Sequence, residues 1–488
     1  MALIGLDVGG TGVKAVAFDH SGAILGSAYR EYDMIHPASG CYEYDPRAIL
    51  AAAKGVLREC AAACNEKILG IGVSSFGEST ALLDENGEVL CNTLMYLDTR
   101  GQNYLDELNA SYDPYEFRAQ MGTRPRINHT IVKLRVLEDA NPGLLSRVKT
   151  VCFMADYVLY SLGGEHVTDY SVASTTGALD MQKQCWNESL WRWAGLSADV
   201  LPRLVSPGTC VGTISAAAAH ELGIDEGAKL VIGGLDHVPS SIGCGVTQKG
   251  QMMDAIGTVD CYFLVTDTID PHEYDGDFLF LPHYTENCFG GLTANMAGGV
   301  LLKWFREHLG KYEKEMWKRD GLDFYIEYEK QMAKEPTDLI VLPRFAGYSD
   351  NMADRAGILN MTLSTTNEEL YRAFMEGETY EMYTMLLSYG QQIDSLTAVG
   401  GAAQCDTYMQ IRADVFNLPV RTVESSQPGA LGDAMAAGVA AGVFESIEQA
   451  VKTCVRTRKV FTPDAERHAF YMAQYDKYLR IYEALRSL

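Results

Sequence analysis

The sequence predicts an α/β chain made of two similar halves with a cleft between them, and three observations carry that prediction. Leu3 to Asp19 reads as a strand, a glycine turn and a returning strand. Met252 to Val265 repeats the same design with a Gly-Thr turn, the signature of an internal duplication. The elements after the first hairpin follow the order β-β-β-α-β, which is not the strict β-α-β alternation of a plain dinucleotide fold.

The opening stretch carries one carboxylate, Asp7, on an apolar strand to a turn of Gly9, Gly10, Thr11 and Gly12. Glycines let backbone N–H groups approach an anion, the Thr hydroxyl adds a donor, and an adjacent carboxylate can hold a hydrated Mg²⁺. Taken alone, such a hairpin is usually only a turn. After the His20-Ser21-Gly22 turn, Ala23 to Glu31 is a third strand. Asp45-Pro46 then opens an Ala-rich helix to Cys64, and Lys67 to Ser74 returns as a strand. This is the start of a ribonuclease H-like, or actin-like, nucleotide fold. The fold class expected is α/β, with two ribonuclease H-like (actin-like ATPase) domains and an interdomain cleft.

Polar residues at the carboxyl ends of strands are where α/β proteins keep their ligands. Three places fit. The loop Ser74-Ser75-Phe76-Gly77-Glu78-Ser79-Thr80 follows one strand. Tyr96-Leu97-Asp98-Thr99-Arg100 spaces an aromatic, an acid and a base at alternate positions, which share one direction on extended backbone. The plain reading of Asp98 and Arg100 is a surface ion pair. Lys229 to Gly245 runs apolar into Gly233-Gly234 and presents Asp236, a candidate general base on a rigid strand end with room for a substrate hydroxyl. Its plain reading is the N-cap of the next helix. The Ser- and Thr-dense run near Thr168 to Ser174 could serve as caps and turns.

In the second half, Ala297-Gly298-Gly299 precedes a helix from Val300 to His308, and Thr366 to Glu369 forms a capping box before a long Tyr- and Met-rich helix. Leu396 to Gln404 is a strand ending at Gly400-Gly401 before another helix, whose N-terminus suits a phosphate. Leu418 to Val423 is a further strand. The small residues Gly429 to Gly438 suit either a flat ring such as adenine or tight helix packing. Tyr471, Tyr475, Tyr478, Tyr482 and Leu485 form the apolar stripe of a C-terminal helix.

At 488 residues the chain is too long for one core. Its net charge of -24 argues against nucleic acid or an anionic membrane as partner. There is no long apolar run, and no basic segment before an apolar stretch at the N-terminus, so a cytoplasmic protein is expected. The 12 cysteines show no zinc-type pairing and read as reduced thiols. Asn128-His129-Thr130 matches the glycosylation pattern, which has no meaning in a cytosolic chain.

In order along nearly the whole chain, these stretches resemble the FGGY family of carbohydrate kinases, which includes xylulokinase, ribulokinase, gluconokinase and glycerol kinase. The likeness rests on Asp7-Val8-Gly9-Gly10-Thr11 with Lys14, Thr168 to Ser174, Gly233 to Asp236, Gly257-Thr258, and Gly400-Gly401-Ala402 with Ala413-Asp414-Val415. The resemblance implies a sugar-binding domain at 1–246 carrying the catalytic base and a nucleotide-binding domain at 247–488. It implies ATP and Mg²⁺, with Asp236 as base and Asp7 on the metal. Gly10, Thr11, Lys14, Gly257, Thr258, Gly400, Gly401 and Gln404 are then on the nucleotide. Phe76, Glu78, Asp98, Arg100, Asp236 and His237 are then on the substrate. The expected partner is a small sugar or polyol, and a homodimer is the one macromolecular assembly envisaged.

The chain departs from the family where the acceptor is chosen. His237 stands where the family usually has Asn or Gln, Tyr96 where it often has Trp, and Gly77-Glu78 matches neither the xylulokinase Met-His nor the glycerol kinase Arg-Glu. A ketopentose is the first acceptor expected and a glycerol- or tetritol-type polyol the second. A sugar-binding regulatory protein with weak catalysis is the reading from another class. An actin-like chaperone ATPase would leave the sugar-side segments without a role.

Overall fold

The first half opens as its glycine pattern requires in a computed structural model that describes residues 1–274, 276–345 and 354–486. Strand β1 (Ala2–Val8) turns into antiparallel β2 (Gly12–Phe18), and β3 (Ile24–Glu31) follows, again antiparallel. Helix α1 (Pro46–Ala63) starts where the Asp45 side chain accepts from the Arg47 N–H and a proline fills the first helical position. Its face of Ile49, Ala53, Val56 and Leu57 is buried in the first-half core. Strand β4 (Ile68–Ser75) returns parallel to β1. Helices α2 (Met154–Ser161) and α3 (Tyr170–Ser174) precede β5 (Cys210–Thr213) and β6 (Lys229–Leu235), and α4 (His237–Gly243) leaves from the end of β6. The sheet order is β5-β6-β4-β1-β2-β3.

The second half contains β7 (Gln251–Ile256), β8 (Asp260–Thr266), β9 (Leu279–Pro282), β10 (Phe289–Asn295), α5 (Val300–His308) and α6 (Asn367–Leu387). It continues with β11 (Ser395–Val399), α7 (Asp406–Phe416), β12 (Val420–Val423), α8 (Pro428–Ala440), β13 (Thr457–Phe461) and α9 (Ala465–Arg486). Its sheet order is β9-β10-β8-β7-β11-β12-β13.

The two sheets share one plan. In each, an antiparallel meander of three strands is followed by two parallel ones: β3-β2-β1-β4-β6 in the first and β10-β8-β7-β11-β12 in the second. Each parallel edge is covered by one antiparallel strand, β5 or β13. Covering an edge removes a row of open backbone groups. The duplication expected from the two hairpins therefore extends through the whole sheet.

Helix α8 crosses that division. It lies in the second half of the chain but packs on β1, β4, β6 and α4 of the first. A Cβ at Gly72 would lie 2.1 Å from Asp433 O, and one at Gly432 would lie 1.9 Å from Pro239 O. Close packing thus accounts for the small residues of that run. Ala430, Leu431, Ala434 and Met435 join Leu3, Val16, Phe18 and Ile242 in one buried cluster.

The aromatic stripe of α9 is core through Tyr471, Tyr475 and Tyr478, whereas Leu485 at its end is exposed. Beneath the second hairpin, Arg412 on α7 is fully buried. Its guanidinium lies 2.6 Å from Asp254 on β7, 2.6 Å from Glu378 on α6, and against Asp260 on β8. Among the described residues no helix is long and apolar enough to cross a membrane.

Candidate active site

Asp236 occupies the single-residue joint between β6 and α4. Its backbone N–H donates to Ser75 O on β4 (3.0 Å), and its Oδ1 accepts from the His237 N–H (2.8 Å). The carboxylate caps the helix and still leaves 34% of the side chain exposed. The His237 Nδ1 lies 2.6 Å from the same Oδ1. Burial works against a charged imidazole there, but the Asp236 carboxylate outweighs it by charge and hydrogen bond and holds His237 well above the usual range.

The strand end is braced from behind by the Ser- and Thr-rich run. Asp169 caps α3, and Ser171 Oγ donates to the Asp169 carboxylate and accepts from the Leu235 N–H at 2.9 Å. Gly234 has φ +107, and a Cβ there would sit 2.7 Å from Ser171 Oγ. A side chain would break both the turn and the brace. Thr168 to Ser174 therefore does not line the cavity; its neighbour Thr175 does.

Asp236 and His237 face a cavity of about 460 Å³, with Phe76 and Glu78 on its wall. Glu78 takes φ +63, a backbone conformation unusual for a residue with a side chain. Two tertiary hydrogen bonds hold it: its N–H donates to Thr175 Oγ1 and its carbonyl accepts from Thr130 Oγ1, both at 2.9 Å. Burial pushes its carboxyl up to about 7, against the pull of Lys133 and Arg126. Lys133, itself buried, is brought down to about 8 by burial, against the opposing charges of Glu78 and Asp98.

Asp98 and Arg100 are not on the cavity wall. Residues 96–97 form a turn, not the extended backbone the spacing suggested. Asp98 is buried, accepts from the Tyr42 N–H (2.9 Å), and pairs with Arg100 (2.7 Å), which also reaches Glu43 (2.8 Å). The cavity instead receives Arg126, Asn128 and Asp277, which the sequence reading did not select. Arg126 pairs with Asp277 at 2.7 Å, and Asn128 Nδ2 lies 3.4 Å from Glu78 Oε1. Asn128 had been visible only as part of a glycosylation pattern.

Both hairpins are present with their turn residues accessible: Thr11, Gly257 and Thr258 are exposed and Gly10 is half-buried. Tyr32 and Tyr44 donate to the carbonyls of Gly9 and Gly10, fixing the first turn. Gly298 and Gly299 let the start of α5 meet the second: the Gly299 N–H donates to Gly257 O at 2.8 Å. Gly400 has φ +96 and Gly401 and Gln404 are exposed beside it. A short 3₁₀ turn, Ala402–Gln404, comes before α7, so the long helix begins later than expected. Lys14 extends across the halves to Gln427 Oε1 at 2.9 Å.

Asp7 meets the test for a hydrated cation. Its Oδ1 is closed off from solvent and accepts no hydrogen bond from the described residues. Burial, with the Asp236 charge adding to it, raises its carboxyl to about 7, against Lys14 and His237. Among the described residues there is no cluster of three metal-ligating side chains. Mg²⁺ keeps most of its own waters and takes one or two carboxylates, so a single aspartate is a sufficient protein contact for it. Asp433, brought in by α8, adds a buried carboxylate bonded to Ser74 Oγ at 2.6 Å. Its burial, and the charges of Asp7 and Asp236, hold it well above the carboxylate range.

Two matching half-domains, each with an open glycine hairpin, and a cavity onto which an accessible carboxylate opens fit the plan of a phosphotransferase. Residues 2–243 match the N-terminal domain of the FGGY family of carbohydrate kinases, and residues 255–441 its C-terminal domain. The chain belongs to that family and is a carbohydrate kinase. It is 26% identical over 497 residues to a xylulose kinase of Bacillus subtilis (strain 168), covering 100% of this chain and 97% of that one. A gluconokinase of the same organism is 27% identical over 441 residues, covering 88% and 86%. The crystal structure of a xylulose kinase from Rhodospirillum rubrum superposes with a TM-score of 0.89 at 24% identity, covering 100% and 99%.

Proposed function

We propose that the chain transfers the γ-phosphoryl group of ATP to a primary hydroxyl of a small linear sugar, with a ketopentose such as xylulose as the first acceptor. The observation that carries the reading is the Asp236 carboxylate at a rigid strand end on a sugar-sized cavity. Asp236 accepts the proton of the acceptor hydroxyl as that oxygen attacks phosphorus. Glu78 and Asn128 hold neighbouring hydroxyls, and Arg126 with Asp277 borders the same space. Gly10, Thr11, Gly257 and Thr258 offer backbone and hydroxyl donors to the phosphates, and Gly400, Gly401 and Gln404 border the nucleotide. Asp7, through water, would hold Mg²⁺, which neutralises charge on the phosphates when bound.

Asp98 and Arg100, off the cavity wall, have no part in holding the acceptor in this reading. A glycerol- or tetritol-type polyol is the second reading, supported by Glu78 on the wall. ADP formation across xylulose, ribulose, gluconate, glycerol and erythritol tests the proposal. Turnover with a linear acceptor is expected. Sugar binding without turnover would overturn it in favour of a sugar-responsive regulatory protein.

A further inference from the structure

Capping α4 needs only the bond from the His237 main chain to Asp236 Oδ1, yet the imidazole makes a second bond to the same atom, at 2.8 and 2.6 Å respectively. Both donors come from one residue and converge on one oxygen. Among the described residues none donates to Oδ2. A carboxylate held by two donors on one oxygen loses its freedom to rotate about its terminal torsion, which is otherwise broad. The backbone beneath it is also pinned, since Ser240 Oγ donates to Asp236 O at 2.7 Å and the Asp236 N–H donates to Ser75 O at 3.0 Å. The only oxygen left for an acceptor hydroxyl is Oδ2.

The arrangement depends on the side chain at 237. The imidazole is three-quarters buried and lies on the cavity wall beside Cys261. Its ring is short and stiff, and among the described residues Nδ1 is the only side-chain donor that reaches Oδ1.

We propose that His237 is the positioning residue of the base: its imidazole ties down Asp236 Oδ1 and leaves Oδ2 to the acceptor hydroxyl. The proposal rests on the reading of Asp236 as the base. Misplacing a reacting group by about 1 Å costs on the order of 100-fold in rate. Losing the imidazole bond while the main-chain bond remains therefore lowers kcat by about 10- to 100-fold.

The test is steady-state kinetics on His237→Ala, His237→Asn and Asp236→Asn, using whichever acceptor of the panel above turns over fastest, with thermal unfolding of each variant. His237→Ala is expected to lower kcat with Tm retained and with the KM values for acceptor and ATP changed less than about threefold, a margin well below the rate effect. His237→Asn, which keeps a side-chain N–H, is expected to recover most of the loss. A His237→Ala enzyme with normal kcat, or with only a raised acceptor KM, would overturn the proposal, the latter making His237 a sugar contact. Equal impairment of the Ala and Asn variants would also overturn it. If Asp236→Asn stays active, the failure lies with the base itself and not with His237.

Discussion

The two hairpins are built alike, yet each disposes of its strand carboxylate in the opposite way. Each carboxylate has an Oδ1 without a donor among the described residues, but Asp7 on β1 is only half-buried, beside an open glycine turn. In the second, Asp254 on β7 is sealed at 0% exposure and tied to Arg412, which also holds Asp260 on the returning strand. One carboxylate is left available to a ligand and the other is consumed in fixing the turn. A duplicated fold can thus diverge, with one hairpin carboxylate left open to the cleft side and the other bound into an ion-pair cluster.

The largest break expected is outside both hairpins. Asp236→Asn should cut kcat by about 10²- to 10⁴-fold with little change in Tm, because a general base contributes on that scale. Steady-state ADP release measures it, and near-normal turnover would remove Asp236 from its role.

Next in size is Arg412→Met, which leaves three buried carboxylates without their guanidinium. A loss of about 3–5 kcal/mol in urea unfolding is expected. Asp254→Asn should cost much less, because Asp260 and Glu378 still satisfy the arginine.

Asp7→Asn should do the reverse, harming activity and Mg²⁺ dependence more than stability. Its sign with pH sharpens the contrast. The Asp7 carboxyl is raised from 3.8 to about 7 in the folded chain, so the folded state binds more protons between those values and stability falls as pH rises through them. Below that window both states are protonated and the penalty vanishes. Asp7→Asn should flatten this part of the Tm–pH curve, and Mg²⁺ should raise the wild-type Tm near neutral pH. A wild-type curve that matches the variant would show that the carboxylate carries no burial cost.

The smallest effect belongs to the brace behind Asp236. Ser171→Ala leaves the buried Leu235 N–H without its acceptor, so a stability loss of about 1–3 kcal/mol with a lesser fall in kcat is expected.

Much of this was legible from local pattern. Strand, glycine turn and strand at Asp7 and again at Gly257 announced both sheets, Asp45-Pro46 marked the start of α1, and Gly233 to Asp236 marked the strand end that presents the Asp236 carboxylate. Such signals live within a few residues, where backbone sterics and capping decide the outcome. The alternation at Tyr96 to Arg100 misled because a turn forms there and Asp98 folds back on Tyr42 and Arg100. Arg126, Asn128 and Asp277 carried no local mark, since only the approach of distant segments puts them on one cavity.

The sequence by itself determined the order of elements, the duplication and the carboxylates at strand ends, because periodicity and turn chemistry act over short range. Tertiary structure alone decided what each carboxylate does. Ser74 meets Asp433 across 359 residues and Arg412 meets Asp254 across 158, and both contacts arise only when α8 and α7 pack. Burial raises both carboxyls, but Asp254 is bound to Arg412 while Asp7 lies half-buried beside an open turn, so two carboxylates alike in sequence context end in different settings.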